Sequence, residues 1–222
     1  MKHTLTILAI SLTLSSARAD WVIIEKTLAG DKEQKMTIQI KGAKTRTDMG
    51  DTMSVIAGED GKTQMFIHKS KTVVTLNPES MKAAAAMTNA LAGAADAAPP
   101  KPKATGEKAK VGQWDTEVYT WEGRNVKGRL YIAKNFPKYE ELSKAMEKAR
   151  KSRPNPMSTM FPDATELPGM IVKSEMTTVG RSTTTELVSA KEEALAESVF
   201  TGPEGYHDFK RPVAPGAVKP EK

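Results

Sequence analysis

The sequence QKMTIQIKGAKTRTDMGD, residues 34–51, contains the pattern that decides the fold of this chain. Met36, Ile38 and Ile40 alternate with polar residues, as in a strand with one buried face. Gly42 then begins a turn into a polar strand, and Gly50 begins the next turn. The stretch therefore predicts two antiparallel strands joined by a tight turn.

Short strands and turns continue on both sides of this stretch. Strands are predicted at residues 20–28, 34–41, 44–49, 52–57, 62–68, 71–76, 109–121, 127–134, 169–178 and 182–190. Asn77 and Pro78 predict the start of a helix that ends near Leu91, and Pro137 predicts a second helix to residue 151. The second helix has one apolar stripe, formed by Tyr139, Leu142, Met146 and Ala149. This order predicts an α+β, mostly β fold, in which one or two helices cover a large antiparallel sheet.

The N-terminal residues, MKHTLTILAISLTLSSARA, have the three parts of a secretory signal peptide. A basic start precedes a short apolar run, and Ala17-Arg18-Ala19 forms a cleavage signature. Residues 1–19 are therefore predicted to be removed, which leaves a periplasmic or secreted protein. We expect one domain at residues 20–209, with a helix-and-linker insertion at 80–108 and a disordered tail at 210–222.

The composition excludes disulfide bonds and argues against nucleic acid as a partner. There is no cysteine, so we expect a hydrophobic core rather than disulfides to stabilise the fold. The formal net charge is +6, but basic residues alternate with acids and threonines instead of forming a one-sided basic stripe. This distribution argues against a nucleic-acid partner, and a transient contact with an anionic membrane surface fits it better. The alternative, which the distribution favours over both, is an ordinary solvated surface.

Several stretches resemble an uncharacterised exported bacterial family, a domain of unknown function. They are IQIKGAKTRTDMGD (residues 38–51), VGQWDTEVYTWEG (111–123), LPGMIVKSEM (167–176) and SVFTGPEGYHDF (198–209). That family is similar to the periplasmic lipoprotein carriers of the LolA and LppX type. The resemblance implies a curved, open half-barrel of antiparallel strands, with helices at its open side and an apolar cavity that receives acyl chains.

An acyl-chain site needs an apolar concave wall with few polar groups. The candidate ligand-binding residues are Met36, Ile38, Ile40, Met53, Val55, Met65, Ile67, Leu130, Ile132, Met170 and Val172. Methionine recurs among them, and its flexible thioether suits a surface that repacks around varied hydrophobic ligands. The alternative interpretation is that these residues simply fill an irregular core between the sheet and a helix.

One polar residue is also a candidate at the rim of such a site. The resemblance makes Arg46 a possible contact for a lipid headgroup or a covering helix. The alternative, which the sequence favours, is a surface arginine paired with Asp48.

Motifs for catalysis are absent from the sequence. Only His68 and His207 lie beyond the signal segment, without metal-binding spacing, and there is no G-x-S-x-G nucleophile motif and no phosphate-binding or dinucleotide-binding loop. We therefore predict a non-enzymatic protein without a cofactor that binds a lipid or a lipidated peptide. The alternative is a structural or interaction module of the cell envelope that has no ligand cavity.

Overall fold

Twelve strands form one open sheet in the computed structural model, which describes residues 20–91, 98–123, 125–151 and 161–209. The strands are β1 (Trp21–Ala29), β2 (Lys32–Lys41), β3 (Lys44–Met49), β4 (Met53–Ala57), β5 (Thr63–Ile67), β6 (Thr72–Leu76), β7 (Lys103–Val111), β8 (Trp114–Glu122), β9 (Val126–Ala133), β10 (Met170–Thr178), β11 (Arg181–Glu192) and β12 (His207–Asp208). The α-helices of the described residues are α1 (Pro78–Leu91) and α2 (Tyr139–Lys151).

The order of strands across the sheet is β12-β6-β5-β4-β3-β2-β1-β11-β10-β9-β8-β7. Neighbouring strands are antiparallel, except that β12 pairs with β6 in parallel. The sheet is curved and is not closed into a barrel, which confirms the predicted fold class. The first six strands follow one another in sequence order, because each short turn returns the chain beside the strand it has just left.

Both helices begin near the predicted residues. The Oδ1 atom of Asn77 accepts a hydrogen bond from the backbone N–H of Ser80 at 2.7 Å, which caps the first turn of α1. In α2, Leu142 and Ala149 are buried, while Tyr139 and Met146 pack beside them against the same cluster. The predicted apolar stripe of α2 is therefore confirmed. Neither helix in the described part of the chain is long and apolar enough to span a membrane.

The predicted linker was wrong in its second half. Strand β7 begins at Lys103, so residues 103–108 belong to the sheet and pair with β8, with a register shift between Ala104 and Lys108. The predicted strand at residues 109–121 is likewise interrupted by a turn at Gly112, where φ is +56°. The predicted signal peptide at residues 1–19 and the predicted tail at 210–222 lie outside the described residues.

The C-terminal segment, residues 193–209, crosses one face of β2–β6 after leaving β11. Near its start, the backbone N–H of Leu195 donates to Asp20 at 3.0 Å. Farther along, Lys44 donates to Glu197 at 2.7 Å. The segment ends as β12 at the outer edge of β6, where His207 pairs with Thr72. The C-terminal segment therefore connects the middle of the sheet to its edge.

Three separate clusters form the hydrophobic core. The largest joins α2 to the sheet and contains Trp21, Ile23, Ile40, Val118, Tyr131, Ala133, Phe136, Leu142, Ala149, Met170 and Val172. The second contains Trp121, Val126, Leu130, Ile132 and Leu167. The third contains Ile56, Phe66 and Val73, with Phe200 and Tyr206 of the C-terminal segment packed against it. The first cluster is thus covered by α2, and the third is covered by the C-terminal segment.

Candidate functional site

The antiparallel register of β2–β5 places apolar side chains in rows that run across the strands. Met36 on β2 lies opposite Met49 on β3, which lies opposite Met53 on β4, which lies opposite Ile67 on β5. We call these four residues the methionine row. Because directly opposite residues in paired strands project to the same side of the sheet, the four side chains form one continuous strip.

A second row lies beside the methionine row on the same face. It contains Ile38, Thr47, Val55, Met65 and Val74, paired in that order across β2–β6. Together, the methionine row and this second row form what we call the apolar face. Most of the methionine and aliphatic residues predicted to contact a ligand therefore do lie side by side.

The side chains of the apolar face are half-buried rather than fully buried. A third row beside them, which includes Ile40, Thr45 and Ala57, is fully buried. The C-terminal segment covers part of the opposite face of the same strands, where it packs over Phe66 and Val73. Within β2–β6, the half-buried methionine and aliphatic side chains are thus mainly those of the two rows of the apolar face.

The remaining predicted ligand residues lie in other parts of the core. Ile40, Met170 and Val172 belong to the cluster that α2 covers. Leu130 and Ile132 belong to the separate cluster around Trp121. Both faces of β9 are consequently buried, and the predicted residues do not all form one wall.

Arg46 projects to the face opposite the apolar face, because it pairs with Gln39 and Ile56 in the adjacent register positions. Its Nε lies 2.9 Å from both carboxylate oxygens of Asp48. Its Nη1 donates to the carbonyl oxygen of Val199 at 3.1 Å. The structure thus shows the pairing of Arg46 with Asp48 and adds a contact with the C-terminal segment.

Folding also brings together a serine, a histidine and an aspartate that the sequence analysis did not connect. The Ser54 hydroxyl donates to Asp48 at 2.5 Å, and Nε2 of His68 lies 2.9 Å from the Ser54 oxygen. Nδ1 of His68 lies 2.5 Å from the Tyr206 hydroxyl. Since Ser54 is buried and gives its proton to Asp48, the arrangement lacks the serine-to-histidine donation of a hydrolytic triad. It joins the C-terminal segment to the sheet.

Glu25 is the charged residue that the sequence analysis missed on the apolar side of the sheet. It lies on β1 opposite Met36, at the end of the methionine row, and it is half-buried. Burial raises the pKa of its carboxyl group above the ordinary value. The available signal was the alternation itself, because Trp21 and Ile23 are apolar and the next residue of that series is an acid.

A charged groove of about 670 Å³ lies on β7–β10, away from the apolar face. Its lining residues are Lys101, Lys103, Thr120, Trp121, Glu122, Lys127, Gly128, Arg129, Glu175 and Thr177. Arg129 donates to Glu107 at 2.7 Å, and Lys173 lies 2.9 Å from Glu175. The hydrogen bond from Lys173 lowers the pKa of Glu175. Acids and bases alternate here, as on a solvated surface.

Within the described residues, no three His, Asp or Glu side chains form a group that could hold a metal ion. The apolar face offers contact area to hydrocarbon, and Glu25 offers one carboxyl group beside it.

A family model described as "Domain of unknown function (DUF4412)" matches residues 22–206 of the chain. The match confirms the sequence-based prediction of a family of unknown function. No curated protein sequence matches the chain.

Solved structures with low sequence identity are similar to the chain. The structure of PNGF-II has 10% identity, covers 86% of this chain and 32% of its own, and gives a TM-score of 0.39. The MucA/MucB complex of Pseudomonas aeruginosa has 12% identity, with coverages of 84% and 56% and a TM-score of 0.45. A Vibrio parahaemolyticus domain assigned to outer membrane lipoprotein sorting has 11% identity, with coverages of 83% and 90% and a TM-score of 0.36. The chain spans about a third of the length of the first of these structures.

Proposed function

The chain belongs to the DUF4412 family, and from this premise we propose that it binds the acyl chain of a lipid or of a lipidated peptide on its apolar face. The mechanism is passive sequestration, in which hydrocarbon leaves water and no bond is made or broken. On the basis of the predicted signal peptide, we propose that the protein acts in the periplasm or outside the cell. There it would contact a membrane surface transiently. The proposal requires no cofactor.

The observation that supports the proposal is the incomplete burial of the two apolar rows. Their side chains are half-buried, whereas the neighbouring row is buried and the C-terminal segment covers part of the opposite face. Contiguous apolar surface of this kind marks a binding surface more often than a solvated one. An acyl chain laid across the rows would complete their burial.

Burial of hydrocarbon alone can supply enough free energy to bind an acyl chain, without any specific polar contact. Removing one methylene group from water contributes about 0.8 kcal/mol, so burial of eight methylenes gives roughly 6 kcal/mol before the cost of association. Methionine side chains can change rotamer at low cost, so the methionine row can adapt to chains of different length or shape. The proposal therefore predicts broad selectivity for the hydrocarbon part of a ligand.

The test is native mass spectrometry of protein purified from a bacterial periplasm, combined with titration of the fluorescent apolar probe N-phenylnaphthylamine. The double variant Met53→Gln/Met65→Gln places two amides of similar size on the apolar face. We expect it to lose about tenfold in probe affinity, because an amide is poorly accommodated against hydrocarbon. The control is Thr75→Gln, since Thr75 on β6 is exposed and lies opposite Gln64 on the other face.

Three results would count against the proposal. They are the absence of co-purifying lipid, the absence of probe binding, and equal affinities of the double variant and the wild type. The first two together would favour the alternative, a structural or interaction module of the cell envelope that has no ligand cavity.

A further inference from the structure

Glu25 is positioned to contact a ligand that lies along the methionine row. It pairs with Met36 on β2, so its carboxyl group continues the strip formed by Met36, Met49, Met53 and Ile67. On its other side, Glu25 pairs with Leu187 on β11. An acid thus lies between two apolar side chains at one end of the proposed ligand site.

The carboxyl group of Glu25 has no hydrogen bond or ion pair with any residue in the described part of the chain. The nearest charged residues on its own strand and on the two neighbouring strands are Lys26, Lys35 and Glu186, which alternate to the opposite face. Lys26 is paired there with Glu33 at 2.9 Å. Burial without a counter-charge makes this carboxylate more costly to keep ionised than a solvated one.

Small hydroxyl side chains adjoin Glu25 on the same face. Thr27 is two residues farther along β1, and its hydroxyl lies 3.1 Å from that of Thr185 on β11. Ser174 on β10 pairs with Thr185 and extends this polar area by one strand. The methionine row therefore ends in one acid with hydroxyls beside it, which is the polarity of a site for an amphipathic molecule.

We propose that Glu25 binds a positively charged ammonium group at the end of the ligand, whose hydrocarbon chain lies on the methionine row. This inference rests on the proposed function and specifies the class of ligand. An ammonium group supplies both the missing counter-charge and hydrogen-bond donors for the carboxylate. The hydroxyls of Thr27 and Thr185 can accept further hydrogen bonds from it.

Charge complementarity distinguishes this class from other amphipathic ligands. A carboxylate or phosphate terminus would place a second negative charge beside Glu25 without a nearby cation on this face among the described residues. A neutral alcohol could donate one hydrogen bond but would leave the charge of Glu25 uncompensated. Among ligands with equal chains, the cationic one should therefore bind most tightly.

The experiment compares three competitors with the same alkyl chain, namely decylammonium, 1-decanol and decanoate, each displacing N-phenylnaphthylamine from the full chain. We expect decylammonium to compete at about tenfold lower concentration than decanol, and decanoate to be the weakest. Glu25→Gln should remove this order, because the three headgroups then meet a neutral amide instead of a carboxylate. Glu186→Gln is the matched control, because Glu186 lies on the neighbouring strand but on the opposite face.

The outcomes separate this inference from the proposed function. If all three competitors bind with similar affinity to the wild type, the role of Glu25 is wrong, while acyl-chain binding stands. If none binds and the probe itself does not bind, both proposals fail. The headgroup order of the wild type decides the question even if Glu25→Gln does not fold, and an order that Glu25→Gln retains would also overturn the inference.

Discussion

The hydroxyl of Tyr206 lies 2.5 Å from Nδ1 of His68, which joins the C-terminal segment to the residue that follows β5. Because the Ser54 hydroxyl donates to Asp48, Nε2 of His68 must donate to the Ser54 oxygen. Nδ1 of His68 and the Tyr206 hydroxyl form the next hydrogen bond. One chain of hydrogen bonds thus runs from Asp48 through Ser54 and His68 to Tyr206.

Removing the Tyr206 hydroxyl should weaken the attachment of the C-terminal segment. Tyr206→Phe keeps the edge-to-face contact with Phe66, whose ring centroid lies 5.3 Å away, but leaves Nδ1 of His68 without its hydrogen-bond partner. We expect a loss of about 1–2 kcal/mol in the free energy of unfolding, measured by urea denaturation. Tyr119→Phe is the control, because its hydroxyl makes only a 3.5 Å contact with Glu117. Equal effects of the two substitutions would contradict the role of the network.

Gly202 allows the C-terminal segment to approach the sheet closely. A Cβ atom at this position would lie 2.5 Å from Cζ of Phe66, which is buried and has little room to move. We expect Gly202→Ala to destabilise the protein by about 1–3 kcal/mol through this overlap.

A double-mutant cycle checks the cause of the Gly202 effect. Phe66→Leu shortens the ring that the new methyl group would meet, so Gly202→Ala should cost clearly less in that background. Purely additive effects of the two substitutions would show that contact with Phe66 is not the reason for the glycine.

The sequence predicted the first half of the sheet well because its structure is local. Strands β1–β6 alternate clearly and are joined by short turns, so their order and pairing follow from neighbouring residues. Strand β7, with the sequence KATGEKAKV, has no apolar alternation, so its composition resembles that of a linker. Strand β12 is two residues long and pairs with β6 only because the C-terminal segment returns across the sheet.

The candidate site was predicted in part for a related reason. Alternation identifies residues on the same face of one strand, and the register of β2–β5 joins Met36, Met53 and Ile67 as expected. Alternation alone does not identify which side chains of distant strands lie on the same face of the sheet. Register shifts between β1 and β11 and between β9 and β10 change which side chains of adjacent strands share a face. Leu130 and Ile132 accordingly pack in a different cluster.

Leu142 should be the main anchor of α2 on the sheet. It is fully buried in the largest cluster, which also contains residues of β1, β2 and β8–β10. We expect Leu142→Ala to reduce the free energy of unfolding by about 2–5 kcal/mol, because the cavity lies between a helix and several strands. Met146→Ala on the same helix removes a partly buried side chain and serves as the comparison. A smaller loss for Leu142→Ala than for Met146→Ala, measured by urea denaturation, would contradict this assignment.

Glu25 should make the stability of the protein depend on pH in a direction opposite to that of a paired carboxylate. Burial raises its pKa in the folded state, so its contribution is most favourable below the unfolded pKa and is lost as the pH rises through the folded pKa. Glu25→Gln should therefore stabilise the protein at neutral pH, by about 1 kcal/mol, because it removes a half-buried charge without a partner. The gain should disappear below about pH 4, where the unfolded carboxyl is also protonated. Thermal unfolding across this range, with Glu186→Gln as the control on the opposite face, measures the difference. A gain that is independent of pH would mean that the amide stabilises the site for another reason, and a loss at neutral pH would show that Glu25 has a partner in the folded protein.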